Sequence, residues 1–149
     1  MAAGGKRIDP IPPKRVLFLC TGNSCRSQMA EAIVNHFAGD RWTAFSAGSA
    51  PTGFVHPLAL QALAEIGIQH HGESKSVEIF RGQSFDQVIT VCGDAEPNCP
   101  VWLGKGQRMH IGFPDPARVE GSPAEVLAVF RQVRDVMRLR LLEYLKTTI

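Results

Sequence analysis

The 149-residue chain is short of several features, and each shortage removes a class of protein. No window approaches the roughly 18 apolar residues of a membrane span. The formal net charge is +2, from 16 Lys and Arg against 14 Asp and Glu. So small an excess argues against nucleic acid or an anionic membrane as partner, and any basic function must be local. There is no internal repeat, no low-complexity tract, and no Gly-Lys-Ser/Thr of a nucleotide loop. His56, His70 and His71 show neither H-x3-H spacing nor paired acids, so they read as surface or loop histidines. The stretch MAAGGKRIDPIPPKR has basic residues but no apolar run to make a signal peptide. Residues 1–14 are therefore read as a flexible leader and 15–149 as one domain, long enough to bury a core without disulfides. The expected compartment is the cytoplasm, where thiols stay reduced. Four cysteines there point to catalysis, redox chemistry or metal binding rather than staples.

What is present is an alternation of strands and helices. Val16 to Cys20 is short, continuously apolar and ended by Thr21-Gly22, as a buried parallel strand is. From Ser27 the residues Met29, Ala32, Ile33, His36 and Phe37 recur at helical spacing until Gly39. Trp42 to Ala47 predicts a second strand, and Pro57 to Ile66 a helix with Gly67 as its cap. Asp86 to Cys92 and Arg108 to Phe113 predict two more strands. Ser122 with Glu125 forms a capping box for a long amphipathic helix from Pro123 to about Lys146. Its apolar stripe is packing surface and its arginines a solvated face. Together these predict a three-layer α/β sandwich around a central four-stranded parallel sheet. Ligands of such sheets sit at the carboxyl ends of strands, where Cys20, Cys92 and the Asp115 region all fall.

The loop CTGNSCRS joins a strand to a helix. Amides at a helix start are unpaired and carry the positive end of the helix dipole. A short loop with Gly22 can wrap such amides around a tetrahedral oxyanion, and Arg26 adds a planar fork for its oxygens. The loop residues Thr21, Gly22, Asn23, Ser24, Cys25, Arg26 and Ser27 are thus candidate anion ligands. The same field favours a thiolate at Cys20, and Ser27 can donate a hydrogen bond to it. A buried cysteine ending a strand is the plainer reading of Cys20 alone. The C-x5-R spacing between strand and helix favours the nucleophile. Cys92 and Cys99 are separated by the turn-rich GDAEPN, which tolerates rearrangement. They are unrelated buried thiols, a redox pair, or half of a four-thiolate zinc site with Cys20 and Cys25. The wide C-x6-C spacing speaks against zinc.

CTGNSCRSQMAEA strongly resembles the signature of thioredoxin-coupled arsenate reductases, which share their fold with low-molecular-weight protein tyrosine phosphatases. The resemblance extends through SAG (Ser46 to Gly48), ITVCGDAEPNCP and GFPDP (Gly112 to Pro116). It implies a cytoplasmic, monomeric enzyme that reduces arsenate to arsenite in arsenic detoxification. By resemblance, Cys20 attacks arsenic, Cys92 forms a disulfide with Cys20, and Cys99 resolves it to Cys92–Cys99. Thioredoxin then reduces that bond as electron donor, and no cofactor is bound. Asp115 would protonate the leaving oxygen, as in the related phosphatases, with Arg26 holding the oxyanion. Cys25 is not needed for the relay and reads as structural.

Some relatives hold a potassium ion beside the loop. Asn23, Glu31 and Ser46 match three of its ligands, but Lys75-Ser76 stands near the fourth, where an Asp is expected; a lysine ammonium could occupy the cation's place, so no potassium is expected here. Asn23 otherwise reads as a residue shaping the loop, and Glu31 as a solvated helix residue. A phosphatase is the competing enzyme. It has no need of Cys92 and Cys99, and the aromatic residues that usually follow its acid loop are replaced by Pro116-Ala117-Arg118; the only tyrosine is Tyr144. Weak hydrolysis of phosphate esters remains an expected side activity, since phosphate, like sulfate, is an analogue of arsenate. A thiol-based arsenite or metal sensor would need a DNA-reading element, and no basic recognition helix is found.

Overall fold

The computed structural model describes residues 12–93 and 99–148. Most of the expected leader, 1–11, and the centre of the loop between Cys92 and Cys99, 94–98, lie outside the described residues. Strand β1 (Lys14–Cys20) sends Val16 and Phe18 to one face and Leu17 and Leu19 to the other, all fully buried. A strand buried on both faces belongs in the middle of a parallel sheet. It pairs in parallel with β2 (Trp42–Gly48) on one side and β3 (Gln87–Thr90) on the other. β4 (Gln107–His110) extends the sheet beyond β3, also in parallel. Among the described residues the order is β2-β1-β3-β4.

Helices α1 (Arg26–Phe37), α2 (Pro57–Ala64) and α3 (Pro123–Lys146) cover one face. Their Met29, Ile33, Leu63, Phe130 and Met137 pack in one cluster with Val16 and Phe18. The other face carries a thinner layer, a single 3-10 turn (Val77–Phe80) and loop aromatics over Leu17, Leu19 and Val88. Phe85 meets Phe80 at 5.7 Å and Trp102 at 5.6 Å, both edge to face. Such rings bury large apolar areas each, so a few of them serve where the first face uses long helices. The sheet thus lies between two layers, the α/β sandwich that the alternation predicts.

Boundaries differ from the sequence reading in ways the backbone explains. α2 stops at Ala64 because its last turn tightens: Gly67 N bonds Ala64 O, Ile68 N bonds Leu63 O, and Gly67 takes a φ of 86°. β3 and β4 are shorter than expected. Past His110 the chain still runs beside β3, with Ile111 N on Thr90 O and Phe113 N on Val91 O. The capping box of α3 forms as predicted, Ser122 Oγ accepting from Glu125 N at 3.2 Å and Glu125 Oε1 from Ser122 N at 2.9 Å.

The arginines of α3 are not all solvated. Arg134 is buried, donating to Ala62 O at 2.9 Å and Glu65 Oε1 at 3.0 Å, so it serves a carbonyl at the end of α2. Arg131 grips the same Glu65 through two bonds of 2.8 and 2.7 Å. Hydrogen bonding by Arg131 leads the effects that hold the Glu65 carboxyl at about 2. Because that value is depressed, the clamp's contribution is present above the ordinary 4.5 and lost as pH falls toward 2. Glu65→Gln should therefore lower the melting temperature at neutral pH and flatten the acid limb of a stability-against-pH curve. Phe130, fully buried at the α2–α3 contact, sets a second scale. Phe130→Ala should cost about 3–5 kcal/mol in urea unfolding.

Candidate active site

The strand order reverses between β1 and β3, which opens a crevice at their carboxyl ends. Cys20 ends β1, Cys92 follows β3, and the Asp115 loop follows β4, so all three reach this edge. Between them the chain folds over the start of α1. That helix is entered through Cys25 with no side-chain cap on its first amides, the arrangement that favours an anion. Asn23 has a φ of 49°, a left-handed conformation that asparagine tolerates better than most residues. The turn it makes brings Asn23 N to 3.3 Å from Cys20 Sγ. Gly48 at the end of β2 lies against this loop. A Cβ there would collide with Thr21 O and stand 3.0 Å from Cys20 O and Asn23 N.

The hydrogen bonds around Asn23 fix their own direction. A backbone amide only donates, so the atom that Lys75 N faces at 2.9 Å is the Asn23 oxygen. The Asn23 NH2 group then faces Ser27 Oγ at 2.8 Å and donates to it. Ser27 thereby spends a lone pair on Asn23 and keeps its proton for Cys20 Sγ, 2.8 Å away. The same logic orients Gln28. Its Nε2 faces Glu73 O at 2.8 Å and Asn23 Oδ1 at 2.9 Å, so Oε1 must accept from His70 Nε2 at 2.7 Å. Burial, the Lys75 charge and His71 push His70 below its ordinary value, which suits a neutral ring with its proton on Nε2. Asn23, Ser27 and Gln28 are fully buried.

Arg26 is buried, its guanidinium reaching Phe113 O at 3.2 Å and Asp115 Oδ2 at 3.5 Å. Asp115 also lies 3.7 Å from Arg118 and accepts from Ala117 N through Oδ1. Arg26 and Asp115, far apart in sequence, therefore meet at the loop. Gly22 O accepts from Ser74 Oγ and Thr52 N at 3.0 Å each, and Ser24 O from His56 N at 3.0 Å, so neighbouring loops hold the rim. Burial foremost, then the Asp115 charge, pushes the Cys25 thiol up to about 12. Cys92 is bonded to Cys99 (Cα–Cα 5.9 Å), while Cys20 and Cys25 are free. Cys92 Sγ is 4.0 Å from Thr21 Oγ1, so the bonded pair borders the loop. Cys99 lines a surface groove of about 410 Å³ together with Trp102, Met109 and His110.

Sequence reasoning missed the supports behind the loop. His70 lies in a loop, yet its side chain is 8% exposed. Glu31 is not solvated but accepts from Ser46 Oγ at 2.8 Å. Gln28 and Glu73 carried no motif of their own; a helix glutamine in the first turn of an anion loop was the only cue. The potassium site that some relatives hold does not fit here. Lys75 Nζ stands among its oxygens, 2.9 Å from Glu73 O, 3.5 Å from Ser46 Oγ and 3.7 Å from Glu31 Oε1. The Asn23 oxygen is taken by Lys75 N and Gln28. Among the described residues no group of three His, Cys, Asp or Glu side chains is placed to hold a metal, and no helix is long and apolar enough to cross a membrane.

Residues 15–148 match the family described as low molecular weight phosphotyrosine protein phosphatase. The chain is 44% identical over 135 residues to an arsenate reductase of Halalkalibacterium halodurans, covering 90% of this chain and 96% of that one. It is 42% identical over 137 residues to an arsenate reductase of Bacillus subtilis, with the same coverage. Among solved structures, an arsenate reductase in the oxidized state superposes with a TM-score of 0.74 at 28% identity, covering 91% and 99% of the two chains. Another in the phosphate binding state gives 0.71 at 29% identity with equal coverage.

The geometry separates the two free thiols. Iodoacetamide at pH 7 should modify Cys20 and leave Cys25 unreacted until pH approaches the region of 12. Ser27→Ala, which removes a bond to the Cys20 sulfur, should slow Cys20 alkylation about tenfold without unfolding the chain. Peptide mapping of the labelled protein reads both.

Proposed function

This chain belongs to the low molecular weight phosphotyrosine protein phosphatase family, and we propose that within it the chain is an arsenate reductase regenerated by thioredoxin. The observation that carries the reading is the Cys92–Cys99 disulfide beside a free Cys20 thiol at the anion loop. A phosphatase uses one cysteine and returns it unchanged, whereas removing oxygen from arsenate takes two electrons. Two thiols that become one disulfide supply them.

In this reading the amides of Thr21 to Ser27 and the Arg26 fork hold the oxyanion, with Asp115 3.5 Å from the Arg26 guanidinium. Cys20, as the thiolate favoured by Ser27, attacks arsenic. One arsenate oxygen leaves as water, its proton supplied by Asp115, and a sulfur–arsenic bond replaces the arsenic–oxygen bond. Cys92 then attacks the Cys20 sulfur. The sulfur–arsenic pair goes to arsenic, which departs as arsenite, and Cys20–Cys92 forms. Cys99 attacks Cys92, freeing Cys20 as thiolate and leaving Cys92–Cys99. A Cys92–Cys99 disulfide beside a free Cys20 is what such a relay would leave, which supports the reading. Cys92 is fully buried while Cys99 is half-buried and faces the groove beside Trp102, which supports attack on the pair by an outside dithiol such as thioredoxin.

The same reading makes residues 15–149 one catalytic domain behind a leader of 1–14, acting as a cytoplasmic monomer in arsenic detoxification. Hydrolysis of small phosphate esters is a weak side activity, because the loop does not tell phosphate from arsenate by shape or charge.

The experiment is arsenate-dependent NADPH oxidation with thioredoxin and its reductase, run beside glutaredoxin. Wild type should turn over repeatedly with thioredoxin, and Cys20→Ser should be inactive. Cys92→Ser and Cys99→Ser should lose repeated turnover. Sustained turnover by Cys99→Ser would sink the three-thiol relay, and turnover by Cys20→Ser would sink the anion-loop assignment. Equal rates with glutaredoxin would remove thioredoxin as the dedicated donor.

A further inference from the structure

Behind the anion loop lies a second polar cluster that the reaction does not use. Segment 73–76 crosses the end of β2 and clasps the loop at several points. Gly48 N bonds Lys75 O at 2.9 Å, Lys75 N bonds Asn23 Oδ1 at 2.9 Å, and Ser74 Oγ bonds Gly22 O at 3.0 Å. This course delivers the Lys75 side chain to a pocket of oxygens: the Glu73 carbonyl, the Ser46 hydroxyl and the Glu31 carboxylate. Glu31 is 15% exposed and belongs to α1, the helix whose start forms the anion loop. The lysine is 23% exposed at its side chain, so the pair is largely withdrawn from water. A half-buried carboxylate left without a cation there would be costly. It would also set a negative charge behind a loop built to hold an oxyanion and a thiolate.

A carbonyl, a hydroxyl and a carboxylate are also the hard oxygen donors that an alkali cation takes. From that donor set and the position of Nζ we propose that Lys75 is a tethered counter-cation, and that truncating it uncovers a latent site for a monovalent ion held by Glu31, Ser46 and the Glu73 carbonyl. His70, 4.0 Å from Glu31 Oε2, closes the remaining side as a neutral ring already committed to Gln28. The lysine needs no binding equilibrium, because the chain supplies it at a fixed high local concentration. Its loop is therefore supported at any ionic composition. Lys75 is a positioning residue, since it reaches Cys20 only through Asn23, Ser46 and Glu31.

The test needs only a reactive Cys20 and not arsenate, so it is independent of the proposed substrate. Melting temperature and the rate of Cys20 alkylation by iodoacetamide are measured in KCl, NH4Cl and choline chloride at equal ionic strength. Wild type should behave identically in all three salts. Lys75→Ala in choline should melt lower and alkylate about threefold more slowly, and potassium or ammonium should restore both. Lys75→Met, whose uncharged chain fills the space, should be impaired and not restored. Adding Glu31→Gln to Lys75→Ala should abolish the potassium response. A potassium-specific response in wild type would overturn the proposal. So would a Lys75→Ala protein that is normal in choline, or one that responds equally to choline and potassium. If Lys75→Ala is unfolded in choline, recovery of its helical circular dichroism in potassium alone supports the assignment, and failure to recover overturns it.

Discussion

The carboxamide of Asn23 is bonded at both ends, its oxygen to Lys75 N and Gln28 Nε2 and its NH2 group to Ser27 Oγ. Three stretches of chain, the β1–α1 loop, the first turn of α1 and segment 73–76, meet on this one buried group. A loop meant to present amides to an anion cannot satisfy those amides internally, so its shape has to be imposed from behind. Asn23 does this while bending the backbone into a left-handed turn, a combination that few side chains allow. Because every donor in the chain from His70 to Ser27 points toward Cys20, the polarity of the network is also set. A negative sulfur is the charge state that such an array of hydrogen-bond dipoles accommodates.

Legibility in the sequence followed periodicity and local chemistry. β1 was readable because VLFLC is apolar at every position, as a strand buried on both faces must be. α3 was readable to the residue at its start because Ser122, Pro123 and Glu125 are a capping signature with its own local geometry. The ends of β3 and β4 were not, since backbone bonds made there depend on where neighbouring strands come to lie, and the end of α2 was set by the tightened turn at Gly67. The site divides in the same way. Cys20, Arg26 and the loop between them carry their chemistry in their spacing, and the meeting of Arg26 with Asp115 follows from strand order. Gln28, Glu73 and His70 act through contacts between segments 45 and 42 positions apart, where no local pattern survives. His70 in particular looks like any loop histidine until Gly72 is placed. A Cβ on that glycine would overlap both the His70 ring and the Gln28 oxygen.

Reduction and hydrolysis need the same first step, an oxyanion held against a thiolate. What differs is where the electrons go afterwards, and on the reading proposed above the connection leaving β3 decides it. The strand carries Cys92 to the edge of the crevice, where it is bonded to Cys99. The second face of the sheet is correspondingly lightly built, with Trp102 and a few phenylalanines over β3. On that reading, a connection that changes its sulfur partner is better packed by a few rings than locked under a long helix.

The fourth thiol gains a meaning from this traffic of disulfides. Cys25 sits in the same loop as Cys20, which the proposed relay oxidises, and an ordinary thiol there would compete for it. Pushed up to about 12 by burial, the Cys25 thiol is a poor nucleophile at neutral pH. Exchange needs the thiolate, so under the proposed relay attack by Cys25 on an oxidised Cys20 is slow while the route through Cys92 stays open. Burial at one residue thus acts as a fidelity device. Under the proposed relay it disfavours a Cys20–Cys25 product, although the two residues share one loop.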